Sequence, residues 1–273
     1  MSDRYAVVGN PIAHSLSPRI HTLFAEQTGE PVSYTKLLAP LEDFEAVVRR
    51  FFADGGRGLN VTVPFKEQAW ALSSERGADA ERAGAVNTLS PLPAGGLRGD
   101  NTDGPGLLRD LTVNLGVRLR EADVLVIGAG GAVRGVLAPL LAEGPRSLRI
   151  ANRTAARADG LAREFRELGP VVGGGFDAID GCDFDLLING SAAGLQGQLP
   201  PIPDHALRPG AICYDMVYGP AAAAFLNWAR EHGAGLAVDG LGMLVEQAAE
   251  SFRIWRGRRP DTTPVIARLR AET

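Results

Sequence analysis

The stretch VLVIGAGGAVRG, Val124–Gly135, decides how the chain reads. Four apolar residues, a glycine turn and the start of an amphipathic run follow one another in the order strand, turn, helix. Gly128 suits the tight turn, and Gly130 leaves room for a pyrophosphate to approach the backbone. The helix that begins near Gly131 offers free N–H groups and the positive end of its dipole. The sixth position of the G-x-G-x-x-G/A pattern is Val133, so the fit is imperfect. The order of elements around the turn carries the reading as a dinucleotide site.

Outward from this turn, short β-rich runs recur at Leu148–Ala151, Leu186–Asn189, Ile212–Asp215 and Leu236–Asp239. They are mostly continuous hydrophobics, as expected of parallel strands covered on both faces. A last helix is expected over Leu241–Trp255. Upstream, strands are expected at Tyr5–Val8, Ser33–Leu38 and Gly58–Val61, with helices at Pro18–Gln27 and Leu41–Ala53. Pro18 suits a helix start, where its missing N–H would be unpaired anyway. The pattern predicts an α/β protein of two lobes. One is an N-terminal α/β domain, residues 1–102 with 239–273. The other is a doubly wound, Rossmann-like domain, residues 103–238. A cleft between two such lobes is a preferred place for a small-molecule site.

Composition narrows the function. The 273 residues are ordinary in hydrophobic and charged content, with a net charge of −4 and no basic footprint for nucleic acid. No apolar run approaches the ~20 residues that span a bilayer. The two cysteines, Cys182 and Cys213, read as buried thiols of a reducing compartment, and four dispersed histidines offer no metal-ligand spacing. Together these point to a cytoplasmic protein with a small-molecule partner, without nucleic acid or membrane. Homodimer formation is left open.

The second strand of the glycine unit selects the cofactor. It runs into Asn152-Arg153-Thr154 and Arg157, where an NAD enzyme would carry a carboxylate for the ribose hydroxyls. Here two guanidiniums stand ready for a 2′-phosphate. Arginine at a helix N-terminus opposes the dipole, so a bound anion accounts for it better than solvation does. NADP(H) is the expected cofactor.

A nicotinamide needs a substrate alcohol or ketone and a proton partner. NVTVPFKEQ, Asn60–Gln68, holds one of only two lysines, Lys36 being the other; the remaining basic residues are arginines. A lysine in a partly buried site is able to release its proton near neutral pH, and arginine is not. Lys66 is thus a candidate acid/base. NPIAHSLSP brings Ser15 and Ser17, which share a face in extended backbone. Thr62, Asn87 in GAVNTL and Asp103 in GDNTDGPG add polar groups. Asp103 also suits a helix N-cap.

Together NPIAHSLSP, NVTVPFKE, AGAVNTL, GDNTDG, GAGGAVRG, NRTAAR and DGLGMLVEQAAESF resemble the shikimate dehydrogenase family, in the same order and over nearly the whole chain. The resemblance implies reversible, NADP-dependent reduction of 3-dehydroshikimate to shikimate, on the way to chorismate and the aromatic amino acids. It implies that Ser15, Ser17, Thr62, Asn87, Asp103, Tyr218 and Gln247 hold the substrate, and that Lys66 and Asp103 form the acid/base pair. It implies cofactor contacts at Gly128, Ala129, Gly130, Gly131, Ala132, Asn152, Arg153, Thr154, Arg157, Met216 and Gly240. Two stretches depart from the family. YGPAAAAF has alanines where a Thr-Pro usually follows Tyr218, and NGSAAG (Gly190, Ser191 and Ala192 after the Asn) replaces Asn-Ala-Thr-Ser. A quinate/shikimate dehydrogenase using NAD and a non-catalytic shikimate sensor are the alternatives. Asn152-Arg153-Thr154 argues against the first, and intact Lys66 and Asp103 against the second.

Overall fold

The computed structural model describes residues 2–272. The chain divides into two compact units, residues 2–106 with Leu244–Glu272, and Leu107–Met243. The divisions fall inside helices, a few residues beyond the expected boundaries at 102/103 and 238/239, because the first turns of those helices pack with the preceding segments.

The first unit runs β1 (Asp3–Gly9), α1 (Ser17–Thr28), β2 (Val32–Leu38), α2 (Phe44–Ala53), β3 (Gly56–Val61), α3 (Lys66–Leu72), β4 (Glu75–Arg76), α4 (Ala78–Ala83), β5 (Thr88–Pro91) and β6 (Leu97–Asp100). Its sheet order is β2-β1-β3-β5-β6-β4. The β1, β2 and β3 strands pair in parallel, while β5 pairs antiparallel with β3 and β6. The β5–β6 hairpin turns through Gly95 and Gly96, both at positive φ, where a side chain would be strained. The core beneath the sheet is built from Ala6, Val8, Phe44, Val48, Leu59, Val61, Phe65 and Leu89, all buried. The second helix starts at Phe44, three residues later than its apolar pattern suggests. A turn closed by the Asp43 N–H on the Pro40 carbonyl leaves Leu41 exposed instead.

The second unit begins within α5 (Asp103–Arg109) and continues through β7 (Asp123–Ile127), α6 (Gly131–Ala142), β8 (Ser147–Ala151), α7 (Ala155–Phe165), β9 (Val171–Gly174), β10 (Phe184–Asn189), β11 (Leu207–Asp215), α8 (Ala223–Glu231) and β12 (Leu236–Val238). The chain then enters α9 (Leu241–Arg256), and α10 (Thr263–Glu272) closes it in the first unit. The sheet is wholly parallel in the order β12-β11-β10-β7-β8-β9. The order reverses between β7 and β10, the switch point at which doubly wound sheets bind ligands. Val124, Val126, Leu148, Ile150, Leu186 and Ile188 face one core, and Leu125, Ile127, Ala151, Leu187 and Cys213 the other. Covering both faces is why these strands read as mostly hydrophobic runs. No helix among the described residues is long and apolar enough to cross a membrane.

Candidate active site

In the first unit Lys66 opens α3, and its Nζ donates to Asp103 Oδ2 at 2.5 Å. The two side chains are only 17% and 8% exposed. The Asp103 carboxylate heads α5 without capping it. Its other oxygen, Oδ1, accepts from Asn87 Nδ2 at 2.9 Å. The orientation of the Asn87 amide is fixed from behind, since its Oδ1 takes the Thr102 N–H at 2.9 Å and the Thr88 hydroxyl at 3.0 Å. The Nδ2 group must then face forward, where it also meets Gln247 Oε1 at 3.2 Å. Gly106 lets α5 and α9 come this close, since a Cβ there would lie 2.8 Å from the Gln247 backbone nitrogen. Lys66, Asn87, Asp103 and Gln247 are therefore brought together as one polar cluster.

Ser15 and Ser17 form a second group, with hydroxyls 3.2 Å apart. The Tyr34 phenol donates to Asn60 Oδ1 at 2.7 Å. From there Asn60 Nδ2 reaches Thr88 Oγ1 at 3.1 Å and Ser251 Oγ at 2.9 Å, and Thr88 returns to Asn87. A buried chain of hydrogen bonds thus runs from Tyr34 to the lysine–aspartate pair. Burial holds the Tyr34 hydroxyl far above its ordinary range, so it remains a neutral donor. Tyr34, Asn60, Thr88 and Ser251 were not read as site residues. Asn60 alone carried a signal, since it shares a strand face with Thr62. The Thr62 methyl packs over Gly9, where a Cβ would sit 2.4 Å away.

In the second unit the glycine turn has the shape its sequence implies. Gly128 has φ +107°, and a Cβ there would lie 3.0 Å from the Gly190 carbonyl. At Gly130 and Gly131, by contrast, an added Cβ would meet nothing within 4 Å. Open space in front of the α6 N-terminus fits a pyrophosphate. Ala129 lies in that turn, and Ala132 in the first turn of α6. The Asn152 side chain donates to the Thr154 carbonyl at 3.0 Å and shapes the loop into α7. Arg153 and Arg157 are exposed there, without ion-pair partners among the described residues. The first turn of α7 has no acidic residue and no side-chain cap. These residues fit a nucleotide bearing an extra phosphate. Met216 and Gly240 meet at the ends of β11 and β12, where a Cβ on Gly240 would lie 2.5 Å from the Met216 carbonyl oxygen. Tyr218 stands at the start of the short turn Gly219–Ala222.

The misfit at Val133 and the departure at Gly190 are one packing adjustment. A Cβ on Gly190 would lie 2.5 Å from Val133 Cγ2 and 2.9 Å from Met216 Sδ. The larger sixth residue of the turn is accommodated by the smaller residue after Asn189. Gly190→Ala should therefore lose about 1–3 kcal/mol of stability through overpacking. Adding Val133→Ala should recover much of that loss in urea unfolding. An additive double variant would show that the two positions are independent.

Asp215, at the end of β11, is wholly buried. Burial pushes its carboxyl up to about 6; bonds from the Val217 N–H and Asn189 pull it back, and Asp239 adds to the rise. The folded chain thus holds this proton more tightly than the unfolded one, whose value lies near 3.8. The group therefore favours folding most below pH 4, and that contribution is lost as pH rises through 6. The swing is about 3 kcal/mol. The unfolding free energy of Asp215→Asn should vary less between pH 4 and 7 than that of the parent, and parallel curves would refute the assignment.

Residues 7–89 match the shikimate dehydrogenase substrate binding domain, residues 111–171 the shikimate / quinate 5-dehydrogenase family, and residues 240–270 the shikimate 5′-dehydrogenase C-terminal domain. The chain is 63% identical over 272 residues to the shikimate dehydrogenase (NADP(+)) of Alkalilimnicola ehrlichii, covering 100% of both chains. It is 58% identical to that of Thioalkalivibrio sulfidiphilus over 98% of both. Among solved structures, shikimate 5-dehydrogenase from Thermus thermophilus in complex with NADP(H) and shikimate superposes with TM-score 0.87 at 36% identity, over 99% of this chain and 100% of that one. An Ael1 enzyme from Pseudomonas putida superposes with TM-score 0.91 at 46% identity, over 98% of both.

Proposed function

The chain belongs to the shikimate dehydrogenase family, and from that premise we propose that it catalyses the reversible, NADPH-dependent reduction of 3-dehydroshikimate to shikimate. This is a step in the biosynthesis of chorismate and the aromatic amino acids. The observation that carries the reading is the enclosed Lys66–Asp103 pair with Asn87 and Gln247 attached to it.

When bound, NADPH supplies the hydride, which adds to the carbonyl carbon of the substrate. Negative charge then grows on the carbonyl oxygen, and Lys66 Nζ is assigned to give that oxygen a proton. In the reverse direction the neutral lysine accepts the proton of the alcohol. Asp103 aims the ammonium, and Asn87 keeps Asp103 from rotating away. Ser15, Ser17, Thr62, Asn87, Tyr218 and Gln247 are assigned to the substrate carboxylate and hydroxyls. The open backbone at Gly128–Ala132 is assigned to the pyrophosphate, Asn152–Arg157 to the adenosine 2′-phosphate, and Met216 and Gly240 to the nicotinamide half. The first unit is then the substrate domain and the second the NADP domain. A cytoplasmic setting agrees with the free thiols Cys182 and Cys213, the latter buried and pushed up to about 12.

Initial rates with shikimate or quinate, each against NADP and NAD, test the reading. Shikimate with NADP should give the highest kcat/KM of the four. A higher value for quinate, or for NAD, would move the chain to the broader quinate-oxidising activity. No turnover with any pair would leave the sensor reading in its place.

A further inference from the structure

A closed set of hydrogen bonds joins the C-terminal ends of β10 and β11. Asn189 Oδ1 accepts the Ser191 N–H at 3.1 Å and the Ser191 hydroxyl at 2.8 Å. On the other side Asn189 Nδ2 donates to Asp215 Oδ2 at 2.9 Å. Asp215 Oδ1 accepts the Val217 N–H at 2.9 Å. Neither Asn189 nor Asp215 exposes any surface. The segments they hold also touch directly, since a Cβ on Gly190 would strike Met216 Sδ and one on Gly194 would lie 2.4 Å from the Ala221 carbonyl oxygen.

Apolar residues could fill this volume without desolvating a carboxylate. A buried acid whose ionisation costs stability therefore contributes something else, and its geometry shows what. Each side chain grips the backbone two residues ahead of it and the other side chain behind. We infer that Asn189 and Asp215 are positioning residues, a brace that fixes the segments after β10 and β11 against each other and so sets Met216 for the nicotinamide half of the cofactor. The functional part of this inference rests on the NADP-dependent reading above; the brace itself is testable without it.

The donor and acceptor pattern supplies the test. In Asp215→Asn, either orientation of the new amide places an N–H group against another donor, Asn189 Nδ2 or the Val217 N–H. In Asn189→Asp, two carboxylates face each other. The exchange Asn189→Asp/Asp215→Asn removes both conflicts. An aspartate at 189 accepts from Ser191 and from the new amide, whose oxygen accepts the Val217 N–H.

With shikimate and NADP+, Asp215→Asn should lose about tenfold in kcat through misplacement of the reacting groups. The dissociation constant of NADP+ and the KM for shikimate should change by less than about threefold, as expected when only the aim of the ring suffers. Hydrogen exchange at the Ser191 and Val217 amides should quicken. The exchange variant should return kcat to within about threefold of the parent and slow both amides again, the coupling expected of a directly interacting pair. Asp215→Asn with kcat near the parent's, or a folded exchange variant no better than the single one, overturns the inference. If Asp215→Asn does not fold, a folded and active exchange variant supports the brace, and an unfolded one overturns it. Should the parent itself lack shikimate activity, the reading of function fails, and the two amides still decide whether the brace exists.

Discussion

Lys66→Arg is expected to lose about 10²–10⁴-fold in kcat, the usual contribution of a general acid/base group, with a much smaller change in shikimate affinity. The reason lies in the local geometry. Lys66 Nζ is 2.5 Å from Asp103 Oδ2, and both side chains are largely enclosed. A guanidinium keeps the positive charge and an ion pair with Asp103, so electrostatic stabilisation of a developing alkoxide is retained in part. It cannot release a proton near neutral pH. The substitution thus separates proton transfer from charge. Lys66→Ala is less informative, because it leaves a buried carboxylate without its cation, which typically costs about 3–5 kcal/mol of stability. Steady-state kcat, the shikimate dissociation constant and the melting temperature of the arginine variant should be measured together. A folded arginine variant turning over within about threefold of the parent would end the case for Lys66 as proton carrier.

The lysine was legible because the chain is so poor in lysine. Its partner was legible only in part. Asp103 stands where a helix begins, and a capping role was equally open until the structure directed its two oxygens to Lys66 and Asn87. The link from Tyr34 through Asn60, Thr88 and Ser251 left almost no trace in the sequence. Ser251 is 191 positions from Asn60 and 163 from Thr88, and hydroxyls on a helix carry no local sign of such a partner. The parallel strands of the second unit were legible because burial on both faces leaves a mostly apolar run. Its edge strand β9, Val171–Gly174, was hidden by its glycines. Gly173 is required there, since a Cβ would lie 2.2 Å from the Ala158 carbonyl oxygen where α7 crosses. The antiparallel β5–β6 hairpin was missed for a related reason, its strands being four residues each and divided by a proline–glycine turn. Val133 was legible as a departure from the glycine-turn pattern, and Gly190 as a departure from the family. Only the packing distance between them shows that the second accommodates the first.

The other large effect is expected in the loop between β8 and α7. Replacing Arg153 and Arg157 together by alanine should lower kcat/KM for NADP by about 10²–10⁴-fold, if each guanidinium makes one charge-assisted bond worth about 1.5–3 kcal/mol. The strand β8 delivers both arginines just past Ala151, and the Asn152 amide, bonded to the Thr154 carbonyl, shapes the loop that presents them. Neither arginine has an ion-pair partner among the described residues, and the first turn of α7 carries no acid to neutralise them. Two unpaired cations at a helix N-terminus oppose its dipole, a cost that a bound phosphate dianion reverses. NAD lacks that phosphate, so its kcat/KM should change by less than about threefold, well below the cost of one lost charge-assisted bond. The NADP/NAD ratio should therefore fall toward parity almost wholly through NADP. The parent's preference should also weaken with rising salt while these arginines are present, and much less in the double variant, since the contact is exposed and screened. Equal losses for the two cofactors would mean that the arginines hold the loop or the shared pyrophosphate, and the choice of NADP would have to be sought elsewhere in the turn.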